Sequence, residues 1–311
     1  MTDGPRRGPL AQVGAFLRDI RLEHSLFALP FALIGALLVC QALVYRGIRS
    51  LPYPSRHELA WLVLAMVGAR TAAMGFNRVV DRGLDARNPR TAGRALASGR
   101  AGLAAYVGCI AAGLGLLYAA AWHFNPLAVK LAPLAVFVLF FYSLTKRFTV
   151  LCHWFLGLAL GISPLAAWVA LGDGYPRSPS PYLLCALVIL WVAGFDIIYA
   201  TLDIDFDRAH GIHSIPAWLG VERGLWVARL CHLGMLLCLA GFFVFSPPGL
   251  GKGFGACALI AAALLIYEHA IVRPDDLGRV NTAFFTVNAV LGLLLLAGAV
   301  IDWVVRLPLP H

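Results

Sequence analysis

The sequence predicts an all-α, polytopic membrane protein with nine transmembrane helices bundled around a central cavity. The first observation behind this prediction is composition: the 311 residues are 60% hydrophobic and 13% charged, whereas soluble proteins carry roughly 25% charged residues. The second is that apolar stretches of about 20 residues, the length that a helix needs to cross a bilayer, recur along the whole chain. Because these stretches occupy most of the sequence, we expect residues 1–311 to form a single membrane domain.

The predicted spans follow an N-terminal tail and are separated by short polar segments. The tail contains four arginines, namely Arg6, Arg7, Arg18 and Arg21. It lacks a short apolar core ahead of a small-residue cleavage site, so we expect no removable signal peptide. In chain order, the spans are expected at about 26–44, 59–76, 101–122, 127–142, 151–171, 182–202, 224–246, 253–272 and 284–305.

Two polar segments, at about 77–100 and 203–223, are longer than the other connections. Each follows an even-numbered span, and most of the Lys and Arg residues outside the spans lie in the N-terminal tail and in the loops on this same side. The positive-inside rule therefore places the N-terminus and both segments in the cytoplasm. We expect the protein to lie in a bacterial-type inner membrane. A separation of about four helices between the two segments also suggests two similar four-helix halves and a ninth helix.

The first long segment begins with a polar helical stripe. Asn77, Asp81 and Asp85 are four residues apart and would lie on one face of a helix. Arg70 lies seven residues earlier on the same stripe, inside the apolar segment. A guanidinium at that depth is expected to face a cavity or a partner group and not lipid.

The second long segment repeats this arrangement. Asp196, Tyr199, Asp203 and Asp207 are spaced three, four and four residues apart, so they share one face if the helix continues. Asp205 would then point elsewhere, and we expect it to be a solvated acid. A single DxxxD at a helix end is typical of a solvated cap. Two matched copies, with charged residues deeper in the apolar segments, favour a functional site.

Two carboxylate clusters in a basic environment indicate Mg²⁺ ions that hold a diphosphate. Carboxylates alone would repel a diphosphate, whereas Mg²⁺ binds the oxygens of both groups. Nearby cations would contact the remaining phosphate oxygens. The candidates are Arg78, Arg82, Arg87, Arg90, Arg94, Lys146 and Arg147, with Tyr142 one helical turn before Lys146.

Other polar residues leave alternatives open. His210 and His213 lack the further ligands of a zinc site, so solvated loop histidines are the simpler interpretation. Glu268 and His269 lie inside a span, where helix packing and function are equally consistent with the sequence. A transporter that uses Arg70 and Asp196 as an ion pathway is the competing function class. Its sites usually lie at the bilayer midplane, whereas these carboxylates cluster near one surface.

The motifs resemble those of the UbiA superfamily of intramembrane prenyltransferases, over essentially the whole chain. The matching segments are 77–85 with 88–94 and 98–99, 142–147, 194–200 and 203–207. The residues in these segments are similar to those of the 4-hydroxybenzoate polyprenyltransferases of ubiquinone synthesis. They are still more similar to those of a sister group that prenylates 1,4-dihydroxy-6-naphthoate in menaquinone synthesis. Arg78 departs from the pattern, since many relatives carry Asp there, and Ala97 replaces a common Pro.

The resemblance implies a Mg²⁺-dependent transfer of a polyprenyl group from polyprenyl diphosphate to a ring carbon of a hydroxylated aromatic acid. A haem or chlorophyll precursor is the alternative acceptor within the superfamily. The expected partners are these substrates and the lipid bilayer, without nucleic acid, and the sequence leaves the oligomeric state open.

The resemblance also assigns roles to individual residues. The expected metal ligands are Asn77, Asp81, Asp85, Asp203 and Asp207. Lys146 and Arg147, with some of the loop arginines, are expected to bind the diphosphate as it leaves, and Arg78 and Arg82 are further substrate-binding candidates. The aromatic rings expected to shield the allylic cation are those of Phe76, Tyr142 and Tyr199, and the remaining substrate-binding candidates are Arg70, for the aromatic carboxylate or the diphosphate, and Asp196.

Overall fold

The computed structural model describes residues 8–20, 27–246 and 250–306, and it confirms an all-α membrane fold. Arg6, Arg7 and Arg21 of the predicted basic tail lie outside the described residues. The helices in chain order are α1 Pro9–Ile20, α2 Leu29–Tyr45, α3 Arg56–Arg87, α4 Leu103–Phe124, α5 Pro126–Thr145, α6 Cys152–Leu171, α7 Ser180–Ala200, α8 Ile204–Ala209, α9 Ile215–Leu219, α10 Val221–Phe245, α11 Lys252–Ile271 and α12 Asn288–Arg306.

The predicted count of nine membrane-spanning helices is not confirmed. Within the described ranges, eight helical segments are long and apolar enough to cross a bilayer. The first predicted span, 26–44, corresponds to α2, which is apolar but has only 17 residues. At 1.5 Å per residue it is about 26 Å long, slightly less than the thickness of the hydrocarbon core. The central cavity stays a prediction.

Helix α3 is much longer than the predicted span 59–76. Its 32 residues, Arg56–Arg87, extend over about 48 Å, whereas the hydrocarbon core is about 30 Å thick. The segment that begins at Asn77 is therefore helical, as the spacing of Asn77, Asp81 and Asp85 predicts, and it continues the helix of the preceding span. The helix ends at Arg87, just before Asn88-Pro89, because a proline disfavours helical geometry in the residue that precedes it. A rigid helical extension thus carries all of the first acidic motif.

The second acidic motif lies where a long helix changes its geometry. Helix α7 ends at Ala200, a 3₁₀ turn covers Thr201–Asp203, and α8 begins at Ile204. A 3₁₀ turn advances by about 120° per residue, whereas an α-helix advances by about 100°. The single face predicted for Asp196 through Asp207 is therefore not a continuous α-helical stripe.

The chain divides into two compact units that do not follow the suggested four-helix halves. The first unit comprises Met1–Ser25 and Leu59–Leu144, and the second comprises Leu26–Glu58 and Thr145–His311. Helix α2 therefore belongs with the later helices, although it precedes α3 in the chain.

In the first unit, α3 and α4 approach closely at a pair of glycines. A Cβ at Gly68 would lie 2.6 Å from the carbonyl oxygen of Gly113, and a Cβ at Gly113 would lie 2.8 Å from that of Gly68. Small residues of this kind let helix backbones meet within a membrane. Phe16 on α1 is buried, and its ring meets the edge of Tyr106 on α4 at a centroid distance of 4.9 Å.

In the second unit, a close approach at a glycine again brings two helices together, since a Cβ at Gly157 would overlap the carbonyl oxygen of Ile189. A buried polar network also links α7, α10, α11 and α12. Trp191 on α7 donates to Asn288 Oδ1 at 2.6 Å, and Asn288 donates to Glu268 Oε1 at 3.0 Å. His232 lies 2.9 Å from His269, measured from Nδ1 to Nε2. Glu268 and His269 therefore take part in helix-to-helix contacts, one of the two roles left open by the sequence.

Polar contacts at the helix ends complete the second unit. The Asp302 carboxylate, on α12, accepts from the backbone N–H groups of Gly253 and Phe254 at 2.9 and 2.8 Å, so it caps the start of α11. Beyond the end of α2, Arg46 makes two hydrogen bonds, of 3.0 and 2.8 Å, to Asp173. This guanidinium holds the pKa of the Asp173 carboxyl below its usual value. The pair is exposed and adds little stability.

Candidate active site

The first motif forms a buried hydrogen-bonded row on α3. Asn77 donates from Nδ2 to Asp81 Oδ2 at 3.1 Å, and it lies 3.4 Å from the hydroxyl of Ser143 on α5. Arg78 donates to Asn77 Oδ1 at 2.7 Å. Asp81 is only 1% exposed. Since burial of an unpaired carboxylate is costly, the hydrogen bond from Asn77 stabilises Asp81 and fixes its orientation.

Asp85 is held by the loop that follows α3. Arg94 donates to Asp85 Oδ1 at 2.6 Å, and Thr91 donates its hydroxyl proton to the Asp85 carbonyl oxygen at 3.1 Å. Asn88 Oδ1 accepts from the backbone N–H of Arg90 and shapes the turn. The loop that the sequence assigned to phosphate binding therefore also pairs one of its arginines with a candidate metal ligand.

The other candidates of the first unit occupy four different environments. Arg70 donates from Nη2 to the carbonyl oxygen of Ile20, at the end of α1, at 3.2 Å. Tyr142 donates to Met74 Sδ at 3.6 Å, and Phe76 stacks on Phe140 at a centroid distance of 4.3 Å. Arg82, by contrast, is exposed. The substrate contacts of these side chains stay predictions.

In the second motif, Asp207 is buried and receives a specific hydrogen bond. Ser214 donates from Oγ to Asp207 Oδ2 at 2.8 Å. Ser214 Oγ in turn accepts from the backbone N–H of Ala217 at 3.3 Å, so Ser214 is also the N-cap of α9. Asp203 is partly exposed and Asp205 is exposed, as expected for a solvated acid at position 205.

The segment 213–215 connects several candidate groups of the second unit. The N–H of His213 donates to the carbonyl oxygen of Lys146 at 2.8 Å. The N–H of Ile215 donates to His153 Nε2 at 3.2 Å, and His153 Nδ1 lies 2.7 Å from Asp196 Oδ2. Helix α5 ends before Lys146, so this lysine lies in a turn fixed by His213 and not on the helix that carries Tyr142. The Arg147 side chain next to it is exposed.

Tyr199 lies against an irregular helix segment. Its ring stacks on Phe284 at a centroid distance of 4.1 Å. Phe284 belongs to a π-helical turn, Thr282–Val287, that precedes α12. Such turns are frequent at functional sites, and the aromatic cluster is compatible with the predicted shielding of a cation by Tyr199.

The donor set fits a hard divalent cation. Each motif offers carboxylate oxygens, the ligands that Mg²⁺ prefers, and Mg²⁺ usually completes its shell with water and phosphate oxygens. Among the described residues, no group of three or more His, Cys, Asp or Glu side chains is arranged to hold a metal ion. Substrate oxygens would therefore be needed to complete coordination. Asn77 is the weakest predicted ligand, since Arg78 already occupies its Oδ1.

The sequence did not indicate three polar side chains that contact the candidate residues, namely Ser143, His153 and Ser214. Ser143 and His153 carry no periodic signal, because each is a single polar residue near the end of an apolar segment. Ser214 was detectable as a potential N-cap, since it precedes a proline at the start of a short helix.

Comparison with known proteins connects this site with one family. The sequence pattern of the UbiA prenyltransferase family matches residues 26–301. The 4-hydroxybenzoate octaprenyltransferase of Vibrio campbellii is 30% identical over 272 residues, which cover 86% of this chain and 93% of that relative. The protein of the same name from Burkholderia pseudomallei is 29% identical over 292 residues, 93% of this chain and 96% of the relative.

Solved structures agree with this relationship. The apo structure of a UbiA homologue from Aeropyrum pernix K1 is 34% identical, with a TM-score of 0.78 over 91% of this chain and 98% of that one. A UbiA homologue from Archaeoglobus fulgidus, bound to GPP and Mg²⁺, is 20% identical and shares the fold, with a TM-score of 0.68 over 93% of this chain and 99% of that one. The chain therefore belongs to the UbiA prenyltransferase family.

Proposed function

We propose that this protein transfers a polyprenyl group from polyprenyl diphosphate to a ring carbon of 4-hydroxybenzoate, in quinone biosynthesis. The observation that carries the proposal is that a UbiA family chain contains two acidic motifs, one on the extension of α3 and one at the end of α7. Family membership favours this enzymatic function over the transporter considered for Arg70 and Asp196.

The carboxylates of both motifs would hold Mg²⁺ together with the diphosphate. In the first motif the residues are Asp81 and Asp85, with Asn77 as a third oxygen donor, and in the second they are Asp203 and Asp207. When bound, Mg²⁺ supplies charge neutralisation for the departing diphosphate. A related fold solved with GPP and Mg²⁺ supports this role.

The basic residues would bind the phosphate oxygens that Mg²⁺ leaves exposed. Lys146 and Arg147 follow the end of α5, and Arg94 lies in the loop next to Asp85. Arg78 and Arg82 are the remaining candidates. A guanidinium or an ammonium in these places stabilises the charge that develops on the leaving group.

The acceptor is assigned from the relatives. The curated proteins that match most of the chain are named 4-hydroxybenzoate octaprenyltransferases. Arg70 would bind the carboxylate of the aromatic acid, and Tyr199 would present a ring face to the allylic cation. Because the motif residues also resemble those of the naphthoate-prenylating group, 1,4-dihydroxy-6-naphthoate is the alternative acceptor.

One prenylation assay tests the acceptor and the metal together. Membranes that contain the full-length protein are incubated with a polyprenyl diphosphate, with Mg²⁺ or EDTA, and with either aromatic acid. We expect a Mg²⁺-dependent product whose mass equals 4-hydroxybenzoate plus the prenyl group, less one hydrogen. Prenylation of the naphthoate alone would show that the naphthoate, and not 4-hydroxybenzoate, is the acceptor. Prenylation of neither acid would refute the proposed function.

A further inference from the structure

Asp196 and His153 form a pair that the proposed diphosphate site does not use. The two side chains are 2.7 Å apart, from His153 Nδ1 to Asp196 Oδ2. The His153 side chain is 2% exposed, whereas that of Asp196 is 25% exposed. A carboxylate within an apolar helix is costly and marks a functional position. The pair thus combines a fixed, buried histidine with a carboxylate that remains accessible.

The hydrogen bonds of His153 define its tautomer. The N–H of Ile215 can only donate, so His153 Nε2 accepts from it and carries no proton. Ile215 is the first residue of α9, and its N–H has no intrahelical partner. The proton of a neutral His153 therefore lies on Nδ1, which donates it to Asp196. This arrangement leaves Asp196 as a carboxylate in a fixed orientation.

The position of Asp196 suits a group that acts on the acceptor and not on the diphosphate. It precedes Asp203 by seven residues, which corresponds to about 10 Å along the helix axis. In a ring prenylation, the diphosphate leaves from one side of the reacting carbons, and the proton leaves from the ring. A proton acceptor is therefore needed some distance from the phosphate ligands. Among the described residues, Asp196 makes no hydrogen bond other than that to His153.

We propose that Asp196 is the catalytic residue that accepts the proton released from the aromatic ring, and that His153 is its positioning residue. The proposal rests on the proposed function. The bond between the prenyl carbon and the diphosphate oxygen breaks, and the electron pair leaves with the diphosphate. The new bond forms from a ring carbon to the prenyl carbon. The ring C–H bond then gives its electrons back to the ring, while its proton moves to a carboxylate oxygen of Asp196 and later to water.

Adjacent residues of one short segment connect this pair to the second motif. Ser214 donates to Asp207, and Ile215 donates to His153. The segment therefore fixes Asp207, a proposed metal ligand, and the pair of His153 with Asp196 relative to each other, within the second unit. Its position is in turn fixed by the hydrogen bond from His213 to Lys146.

The test is steady-state kinetics with 4-hydroxybenzoate that carries either hydrogen or deuterium on the ring carbons next to the hydroxyl. We expect Asp196→Asn to lower kcat about a hundredfold, the size of a general-base contribution, with little change in KM for geranyl diphosphate. Proton removal then becomes slow, so a clear deuterium effect on kcat should appear that wild type lacks. Asp205→Asn, at an exposed acid of the same segment, is the matched control.

Two substitutions of His153 separate positioning from folding. His153→Gln can still accept from Ile215 and donate to Asp196, so it should keep most of the activity. His153→Phe fills the space without these hydrogen bonds, and the misplaced Asp196 should lower kcat by up to about a hundredfold and introduce the deuterium effect. If Asp196→Asn does not fold, these two variants test whether Asp196 accepts the ring proton.

The outcomes distinguish the two proposals. Near-normal kcat in Asp196→Asn, or a loss without a deuterium effect in both Asp196→Asn and His153→Phe, overturns the role of Asp196 while the proposed function stands. Absence of a ring-prenylated product from the wild-type protein refutes the proposed function, and the role of Asp196 with it.

Discussion

At the scale of single residues, the candidate metal ligands include buried carboxylates. Asp81 is 1% exposed and Asp207 is 7% exposed. Their hydrogen bonds with Asn77 and Ser214 offset part of the cost of removing a charge from water. Side chains retained at such a cost, in a chain with 16 acidic residues, are expected to gain their stabilisation from a bound cation.

The hydrogen bond to Asp207 gives a prediction for Ser214. Ser214→Ala removes a hydrogen bond to a charged group, a loss of about 1.5–3 kcal/mol. We expect kcat/KM for the polyprenyl diphosphate to fall about tenfold or more, measured by release of diphosphate. Ser214→Thr keeps the hydroxyl and should remain close to wild type. Equal activity of the alanine and threonine variants would show that this contact does not support the site.

Sequence patterns found the residues of the site better than their partners. The spacing of Asn77, Asp81 and Asp85 was sufficient to predict one helix face, because helical periodicity is a local property. The contact from His153 to Asp196 joins residues that are 43 positions apart. It depends on the packing of α6 against α7 and on segment 213–215, so no local pattern could have indicated it.

At the scale of elements, the two motifs differ in the secondary structure that carries them. Helix α3 carries its carboxylates on a continuous extension, whereas Asp203 lies in a 3₁₀ turn that the sequence did not predict. Span positions were predictable because apolar length is a strong signal. The spacing of Asn77, Asp81 and Asp85 indicated that a helix continues past residue 76, but apolar length gave no signal for its end at Arg87.

The approach of α3 to α4 gives a prediction at the same scale. A Cβ at position 113 would lie 2.8 Å from the Gly68 carbonyl oxygen and 2.9 Å from the Ala72 nitrogen. Since both are backbone atoms, the helices must separate. Gly113→Ala should therefore lower the free energy of unfolding by roughly 1–3 kcal/mol, a typical cost of overpacking. The measurement is the Tm of the purified protein in detergent.

Gly108 on the same helix provides the control for this substitution, because a Cβ there meets nothing within 4 Å. Gly108→Ala should keep or slightly raise the Tm, since alanine favours the helix by up to about 1 kcal/mol. Equal Tm values for both variants would contradict the tight contact between the two helices.

At the scale of the whole molecule, the structure confirms a multi-pass helical membrane protein. Its orientation in the membrane stays a prediction from the distribution of charge. We propose that the segment after α7 is cytoplasmic and that the loop before α7 lies on the opposite side, as the positive-inside rule predicts. In a cysteine-free background, Arg177→Cys should react with a membrane-impermeant maleimide in intact cells. Ala209→Cys should react only after the cells are opened. The reverse pattern would invert the proposed topology.

The most direct test of the central claim, that both acidic motifs serve one Mg²⁺-dependent transfer, is the turnover of three alanine variants in membranes. Asp81→Ala and Asp203→Ala each remove a proposed metal ligand, whereas Asp205→Ala removes an exposed acid from the second motif. With equal amounts of folded protein, we expect the first two to release diphosphate and form product at least about a hundredfold more slowly than wild type, and the third to remain near wild type. Near-normal turnover in both Asp81→Ala and Asp203→Ala would contradict the account.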